Sequence, residues 1–122
     1  IEGLNGFPGT LTKPFLRCVG INGILKLLEN NDNRKAVLRS ALCYYNPNIG
    51  KTRLFVFDLK GKISENIRGD YTRGWSDIMK IFIPHGFNKT IAEMNDTEWK
   101  SLISRENNFD MLGRLLRKHL LI

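Results

Sequence analysis

The sequence predicts one mixed α/β or α+β domain, in which helices precede and follow a mostly antiparallel set of strands. Apolar residues recur at helical spacing near both ends of the chain, which indicates amphipathic helices there. Aromatic and β-branched residues are concentrated between them, mainly over residues 36–59, which indicates strands. A length of 122 residues suits a single domain with a sizeable core.

The N-terminal part is predicted to contain a turn and two short helices. Residues 3–9, Gly-Leu-Asn-Gly-Phe-Pro-Gly, have the composition of a structured turn. Thr12 is expected near the cap of the first helix, with Pro14 in its first turn. Gly20 interrupts the apolar pattern, so a second short helix is expected over residues 21–28.

Strands are predicted in the middle of the chain. Residues 36–45 and 52–59 are the first two candidates, with a turn at 46–50 between them. Lys60-Gly61-Lys62 is expected to close a hairpin into the strand candidate that follows it. The apolar run over residues 78–83 is predicted to be another strand.

Helical elements are predicted toward the C-terminus. Residues 90–94 form a short helix-like element capped by their threonine. Asp96 or Thr97 is expected to cap a last long helix that continues close to the end of the chain. Residues 107–108, both asparagine, and Gly113 weaken its middle, where it can break in two.

The charge balance indicates a polyanionic partner. Nineteen Lys and Arg residues against twelve Asp and Glu residues give a net charge of +7. Nucleotides, RNA or an anionic surface are the partners that this balance favours. The alternative is a basic cytosolic enzyme whose positive surface is simply solvated, and charge alone does not separate the two.

The two cysteines indicate a reducing compartment, and we expect a cytoplasmic protein. Cys18 and Cys43 lie in apolar sequence contexts without metal-ligand spacing, so we expect buried thiols rather than a disulfide. With only two histidines, a histidine-based zinc site is not expected. No apolar run is long enough to span a bilayer, so no membrane partner is expected.

Motifs of the common catalytic classes are absent from the sequence. It contains no Walker loop, no Gly-x-Ser-x-Gly elbow and no His-Glu-x-x-His. Ser40 and Ser104 have no histidine placed by local spacing to activate them, so a nucleophilic enzyme is not supported. A basic cluster near the C-terminus can complement a helix dipole or form an RNA-binding surface; it consists of Arg114, Arg117, Lys118 and His119.

A glycine-punctuated segment around Trp75 is the strongest candidate for a binding site. Gly69 and Gly74 relieve conformational constraints on the backbone on either side of the segment. Trp75 offers a flat apolar face, and Arg73 and Asp77 place opposite charges close to it. This combination can hold a flat ligand such as a nucleobase, or it can be an ordinary turn with a buried tryptophan.

Several motifs, in this order, resemble the inosine triphosphate pyrophosphatase family. They are Leu4-Asn-Gly-Phe-Pro-Gly with Lys13-Pro-Phe-Leu, Gly61-Lys-Ile, Gly69 with Gly74-Trp75, Phe82-Ile-Pro-His-Gly-Phe with Lys89-Thr-Ile-Ala-Glu-Met, and Lys100-Ser-Leu-Ile-Ser. The resemblance covers essentially the whole chain, residues 1–122, as one domain corresponding to the C-terminal two-thirds of the family fold.

The resemblance implies a fold and an activity. The expected fold is α/β, with a mixed, largely antiparallel sheet flanked by helices, lacking the family's N-terminal strand and helix. Members hydrolyse inosine, deoxyinosine or xanthosine triphosphate to the monophosphate and pyrophosphate, use Mg²⁺, and often form homodimers. The family's phosphate-gripping loop, metal-binding glutamate and general-base aspartate lie upstream of Gly-Phe-Pro-Gly. We therefore expect neither a catalytic nor a metal-binding residue in this chain.

The base-recognition motifs are present in altered form. Positions that match the family's nucleotide-binding residues are Gly74, Trp75, Lys100 and Ser104. Positions that depart from it are Arg73, which replaces a stacking aromatic, Ser76 and Asp77, where the base-reading aspartate has shifted, and Arg105 and Glu106, which replace a histidine and an arginine. Each lost stack or charged hydrogen bond removes about 1–3 kcal/mol of binding free energy.

These substitutions favour a degenerate relative, a pseudoenzyme that persists as a basic binding protein on RNA or a ribonucleoprotein. The alternative is an active pyrophosphatase for inosine, deoxyinosine or xanthosine triphosphate, whose N-terminal catalytic part is missing from this sequence. A third hypothesis is a nucleotide-binding module for a different base, with Arg73 and Arg105 contacting phosphate or a carbonyl edge.

Overall fold

The computed structural model describes residues 1–74, 76–104 and 108–120. Its helices and strands are α1 (Thr12–Leu27), β1 (Lys35–Asn46), β2 (Lys51–Ile63), β3 (Phe82–Pro84), α2 (Asp96–Ile103) and α3 (Asn108–Leu120). Short 3₁₀ turns lie at Glu2–Leu4, Gly9–Leu11, Asp77–Lys80 and Ile91–Glu93. The sheet has the order β1-β2-β3, with β2 and β3 antiparallel. The predicted fold class, a largely antiparallel sheet with flanking helices, is confirmed.

The chain divides into two compact units. The first unit comprises Ile1–Leu38 and Leu59–Asn95, and the second comprises Arg39–Asp58 and Asp96–Ile122. The sequence expectation of one domain over the whole chain stays a prediction. In the part of the chain that the structure describes, no helix combines the length and apolar character needed to cross a membrane.

The first unit contains a core built from α1, β3 and the turns beside them. Gly20 has non-helical dihedral angles (φ 64°, ψ −175°) and kinks α1, as its position in the apolar pattern predicts. After the kink, Ile24 and Leu28 are buried. Phe82 and Ile63, from neighbouring strands, are also buried, so the helix and the strands each contribute fully enclosed side chains to this core.

The hairpin predicted at Lys60-Gly61-Lys62 is wrong, because β2 continues through these residues to Ile63. Gly61 pairs with Pro84 of β3. A Cβ atom at Gly61 would overlap the carbonyl oxygen of Ile83 and the ring of Phe82. Gly61 therefore allows β2 and β3 to approach each other closely, which is a common role of glycine within a strand.

The strand predicted over residues 78–83 is correct only at its end. Asp77–Lys80 forms a 3₁₀ turn whose N-cap, Ser76, accepts a hydrogen bond from the Ile78 amide at 3.3 Å. Met79 and residues 81–84 are buried without alternation, and Lys80 between them is half-buried. The apolar run therefore reflects enclosure on all sides rather than strand periodicity.

The second unit contains the outer parts of β1 and β2 together with α2 and α3. The predicted break of the last helix is confirmed, because α2 ends at Ile103 and α3 begins at Asn108. Gly113 lies within α3 and does not interrupt it. Arg39 and Asp58 form a bidentate ion pair with N–O distances of 2.7 Å on an exposed strand face. The hydrogen bonds and charge of Asp58 raise the pKa of Arg39.

The expectation of buried thiols is wrong, because Cys18 and Cys43 are both exposed, and both are free of disulfides. Cys43 lies on the outward side of β1, where every second residue is exposed. Cys18 lies on the exposed side of α1, between Arg17 and Val19. Apolar neighbours in sequence do not fix which face of an element a side chain occupies.

Candidate functional site

Two segments of the first unit form the candidate site. We call residues 69–77 the glycine loop and residues 90–94 the Thr90 turn. The turn begins at Thr90, whose amide donates a hydrogen bond to Glu93 Oε1 at 2.9 Å. This is one half of a capping box, which the sequence pattern predicts. Thr90 is fully buried, so the turn is held in the interior rather than on the surface.

Arg68 fixes the entry to the glycine loop on this turn. Its backbone oxygen accepts a hydrogen bond from Thr90 Oγ1 at 2.6 Å. Its guanidinium lies 3.0 Å from Glu93 Oε1 and donates to the Asn88 carbonyl oxygen at 2.8 Å. Three contacts from one residue leave the loop little freedom where it begins.

Gly69 continues this close contact. Its φ of 85° lies in the left-handed region, and an ideal Cβ would be 2.7–2.8 Å from backbone atoms of Ala92 and Glu93. Any side chain here would displace either the loop or the Thr90 turn. The glycine is therefore required by packing as well as by backbone conformation.

Arg73 fixes the middle of the loop on the same turn. Its guanidinium donates hydrogen bonds to the carbonyl oxygens of Ile91 at 3.2 Å and Met94 at 2.8 Å. Its Cζ atom also lies 4.7 Å from the ring centroid of Tyr71. Arg73 has a φ of 54°, a conformation that costs a non-glycine residue about 1–2 kcal/mol. The side-chain contacts offset that cost.

The remaining predicted loop residues have different environments. Gly74 has a φ of 75° and open space around it. Ser76 caps the following 3₁₀ turn, and Asp77 is exposed and lies 3.2 Å from Lys80. Trp75 lies outside the described residues. The structure thus assigns local structural contacts to three of the positions where the sequence departs from the family pattern, namely Arg73, Ser76 and Asp77.

The other predicted site residues belong to the second unit. Lys100 lies in α2 and is exposed. Ser104 follows α2, is also exposed, and donates its hydroxyl to the Ser101 carbonyl oxygen at 2.8 Å. Arg105 and Glu106 lie outside the described residues. An exposed lysine has the ordinary chemistry of a phosphate-binding residue.

The residues of the structure do not form a metal centre. Within residues 1–74, 76–104 and 108–120, no group of three His, Cys, Asp or Glu side chains is arranged to hold a metal ion. The described residues therefore do not fit the magnesium site that the family resemblance implies.

A second concave region of the first unit, with a volume of about 670 Å³, lies at the end of α1. Arg34, part of its lining, donates hydrogen bonds to the carbonyl oxygens of Leu28, Ile63 and Ser64 at 2.7–3.0 Å. Through these bonds Arg34 connects the C-terminal end of α1 with the C-terminal end of β2.

Sequence reasoning did not single out Arg68 or Tyr71, and it did not predict the hydrogen bonds of Arg73. The sequence does show that Arg68 precedes a glycine and that the Thr90 turn has a capping-box pattern, but it shows these as two separate local features. Their hydrogen bonds span about twenty residues, and no local pattern predicts that distance.

Comparison with known proteins identifies the family. Residues 1–114 match the model of the Ham1 family. The chain belongs to the Ham1 family. The resemblance to the inosine triphosphate pyrophosphatases is thereby confirmed.

Curated relatives of this Ham1 family member are dITP/XTP pyrophosphatases. The protein from Thermococcus kodakarensis is 39% identical over 118 residues, which cover 97% of this chain and 57% of that protein. The protein from Methanopyrus kandleri is 41% identical over 98 residues, which cover 80% and 50% of the two chains. The chain therefore spans about half the length of these relatives.

Solved structures have the same fold. A nucleoside-triphosphatase / dITP/XTP pyrophosphatase from Mycobacterium abscessus superposes with a TM-score of 0.72 at 25% identity, covering 99% of this chain and 62% of that one. A HAM1 protein from Coxiella burnetii superposes with a TM-score of 0.76 at 22% identity, covering 97% and 62%. The second likeness concerns the fold alone.

The comparisons favour the enzyme hypothesis over the degenerate binding protein. The relatives carry the name dITP/XTP pyrophosphatase, which fits the enzyme hypothesis better than a binding protein. The pseudoenzyme interpretation rested on two altered motifs. In the first, Arg73 forms hydrogen bonds to the Thr90 turn, and Arg105 and Glu106 of the second lie outside the described residues.

Proposed function

We propose that the protein containing this chain is a nucleoside triphosphate pyrophosphatase for non-canonical purine nucleotides of the dITP and XTP class. One observation carries the proposal beyond family membership. Arg68 and Arg73 both anchor the described part of the glycine loop on the Thr90 turn, so the substitution at position 73 comes with contacts that hold this part in place. An ordered loop is a requirement for selecting one base over another.

The proposed contacts follow from residue chemistry. Gly74 brings an open stretch of backbone to the ligand, since no atom of another segment lies within 4 Å of its ideal Cβ. Lys100 supplies a positive charge for a phosphate, and Ser104 a hydroxyl for the nucleotide. We also propose Trp75, by its place in the family motif, as an aromatic contact to the base.

The proposed reaction is hydrolysis between the α- and β-phosphates. Water adds to the α-phosphorus, the bond from that phosphorus to the bridging oxygen breaks, and pyrophosphate leaves. A proton from the water is released, and the nucleoside monophosphate remains. Because the described residues do not fit a magnesium site, we derive no step through the metal, which stays a family expectation.

The test is pyrophosphate release by the purified full-length protein with magnesium. We expect turnover of dITP and XTP, with kcat/KM for ATP lower by about 100-fold or more, because a site that hydrogen-bonds one base edge rejects another strongly. Absence of pyrophosphate release from dITP and XTP would refute the proposal. Equal turnover of ATP would refute its substrate class.

A homodimer and a cytoplasmic location are further proposals, supported only by what the family implies. Sedimentation velocity at micromolar concentration tests the first, and a monomer at all concentrations would contradict it. Imaging of the tagged full-length protein tests the second, and a stable membrane or organelle signal would contradict it.

A further inference from the structure

Tyr71 is an exposed aromatic residue in a loop that is otherwise tightly anchored. Tyr71 is 60% exposed to solvent. Its ring lies 4.7 Å from Arg73 Cζ, within the range of a cation–π interaction. One face of the ring is therefore supported by a guanidinium while much of the residue remains open to solvent.

The supporting guanidinium is itself held in place. Arg73 donates to the carbonyl oxygens of Ile91 and Met94, two residues of the buried Thr90 turn. A planar guanidinium with two such bonds has a defined orientation. The Tyr71 ring thus rests on a group that is fixed to the core of the first unit.

A fixed and exposed aromatic ring suits a flat ligand. Ordering a side chain on binding costs free energy, and a ring that is already oriented avoids much of that cost. Base–aromatic stacking tolerates any base because every base has a π-face. The positive charge of Arg73 beside the ring also favours a ligand that carries phosphates.

We infer that Tyr71, supported by Arg73, is the surface on which the purine base of the substrate stacks. The inference rests on the proposed function and names a binding residue for it. In this interpretation the aromatic residue that Arg73 replaces is substituted functionally by Tyr71, two residues earlier, and Arg73 supports the Tyr71 ring. Arg73 is then a positioning residue, and Tyr71 touches the base in addition to the contact proposed for Trp75.

The test compares base-dependent and phosphate-dependent binding in the full-length protein. Calorimetry would use the non-hydrolysable α,β-imido analogue of dITP, and inorganic tripolyphosphate as a probe without a base. Tyr71→Ala should weaken binding of the analogue by about 5- to 150-fold and leave tripolyphosphate binding unchanged. Tyr71→Phe should bind the analogue like the wild type, because it keeps the ring.

Matched variants separate stacking from general effects. Tyr45 is 58% exposed in the second unit, so Tyr45→Ala removes a similarly exposed ring and should leave analogue affinity unchanged. Arg73→Ala should weaken analogue binding, and combining it with Tyr71→Ala should add little, because both changes remove one supported ring.

Several results would overturn the inference. They are unchanged analogue affinity in Tyr71→Ala, an equal loss of tripolyphosphate affinity, and a wild-type protein that binds no nucleotide. Failure of the proposed function looks different, because a wild type that binds the analogue through Tyr71 but releases no pyrophosphate would refute the enzyme and keep the stacking site.

Discussion

The two units of the chain differ in how they hold their candidate binding residues. Among the described residues, every buried apolar side chain except Leu102 belongs to the first unit. The glycine loop of that unit is fastened to the buried Thr90 turn. In the second unit, Lys100 and Ser104 are exposed, as are Leu54 and other large apolar side chains.

Candidate binding residues in the first unit are therefore constrained by contacts with a core, whereas those in the second unit are open to solvent. A substitution at Gly69 or Arg73 should disturb packing, because these two residues of the loop contact or hydrogen-bond the Thr90 turn. A substitution at Lys100 changes the charge offered to a ligand without disturbing packing. Changes at the buried contacts of the glycine loop should therefore alter stability, whereas a change at Lys100 should alter binding alone.

The largest expected effect is that of Gly69→Ala. Its Cβ would meet the backbone of Ala92 and Glu93 at 2.7–2.8 Å, at a φ of 85°. We expect a loss of about 3 kcal/mol or more in the free energy of unfolding, measured by urea denaturation.

Gly50→Ala, in the β1–β2 turn, is the matched control for Gly69→Ala. Gly50 has a φ of 63° and open space around it, so only the backbone cost of about 1–2 kcal/mol is expected. Equal losses in the two variants would show that packing against the Thr90 turn does not constrain the loop.

Thr90→Val should have the next largest effect. It keeps the shape of the side chain but removes the hydroxyl that donates to the Arg68 carbonyl oxygen at 2.6 Å, which leaves a partly buried carbonyl without this partner. We expect a loss of about 2 kcal/mol of stability by urea denaturation. Thr52→Val, on an exposed part of β2, should change stability by less than about 0.5 kcal/mol. A similar loss in both variants would contradict the role of Thr90.

Lys100→Met should weaken nucleotide binding without changing stability. Removing one charge-assisted contact to a phosphate should raise the Kd of the α,β-imido analogue about tenfold, as calorimetry can measure. Lys51→Met removes another exposed lysine of the second unit and should bind like the wild type. If Lys51→Met weakens binding equally, the effect is one of net charge rather than of position 100.

The smallest expected effect is that of Cys43→Ser. Since Cys43 is exposed and not in a disulfide, the variant should match the wild-type free energy of unfolding to within about 0.5 kcal/mol. The native thiol should also react at once with a water-soluble thiol reagent. Reaction only after addition of urea would restore the sequence expectation of a buried thiol.

The sequence predicted local structure better than it predicted contacts between distant residues. The kink at Gly20, the break before Asn108 and the cap at Thr90 each depend on neighbouring residues, and each was correct. The strand through Gly61 was missed because the need for glycine comes from β3, about twenty residues later. A local pattern cannot distinguish that need from a turn.

The candidate site was predicted only in part for the same reason. Gly69 and Gly74 were correctly placed in a loop with left-handed backbone conformations. The hydrogen bonds of Arg73 to Ile91 and Met94 were not predicted, because they depend on how the chain folds back. The family motifs found the segment, and the fold was needed to show what its altered residues contact.

Hydrogen exchange of the full-length protein, with and without the α,β-imido analogue of dITP, tests most directly whether the anchored loop is a nucleotide site. We predict that the analogue slows exchange of backbone amides in residues 70–77, while residues 45–50, at the turn between β1 and β2, keep the same rate. Unchanged exchange in residues 70–77 at saturating analogue would contradict the account.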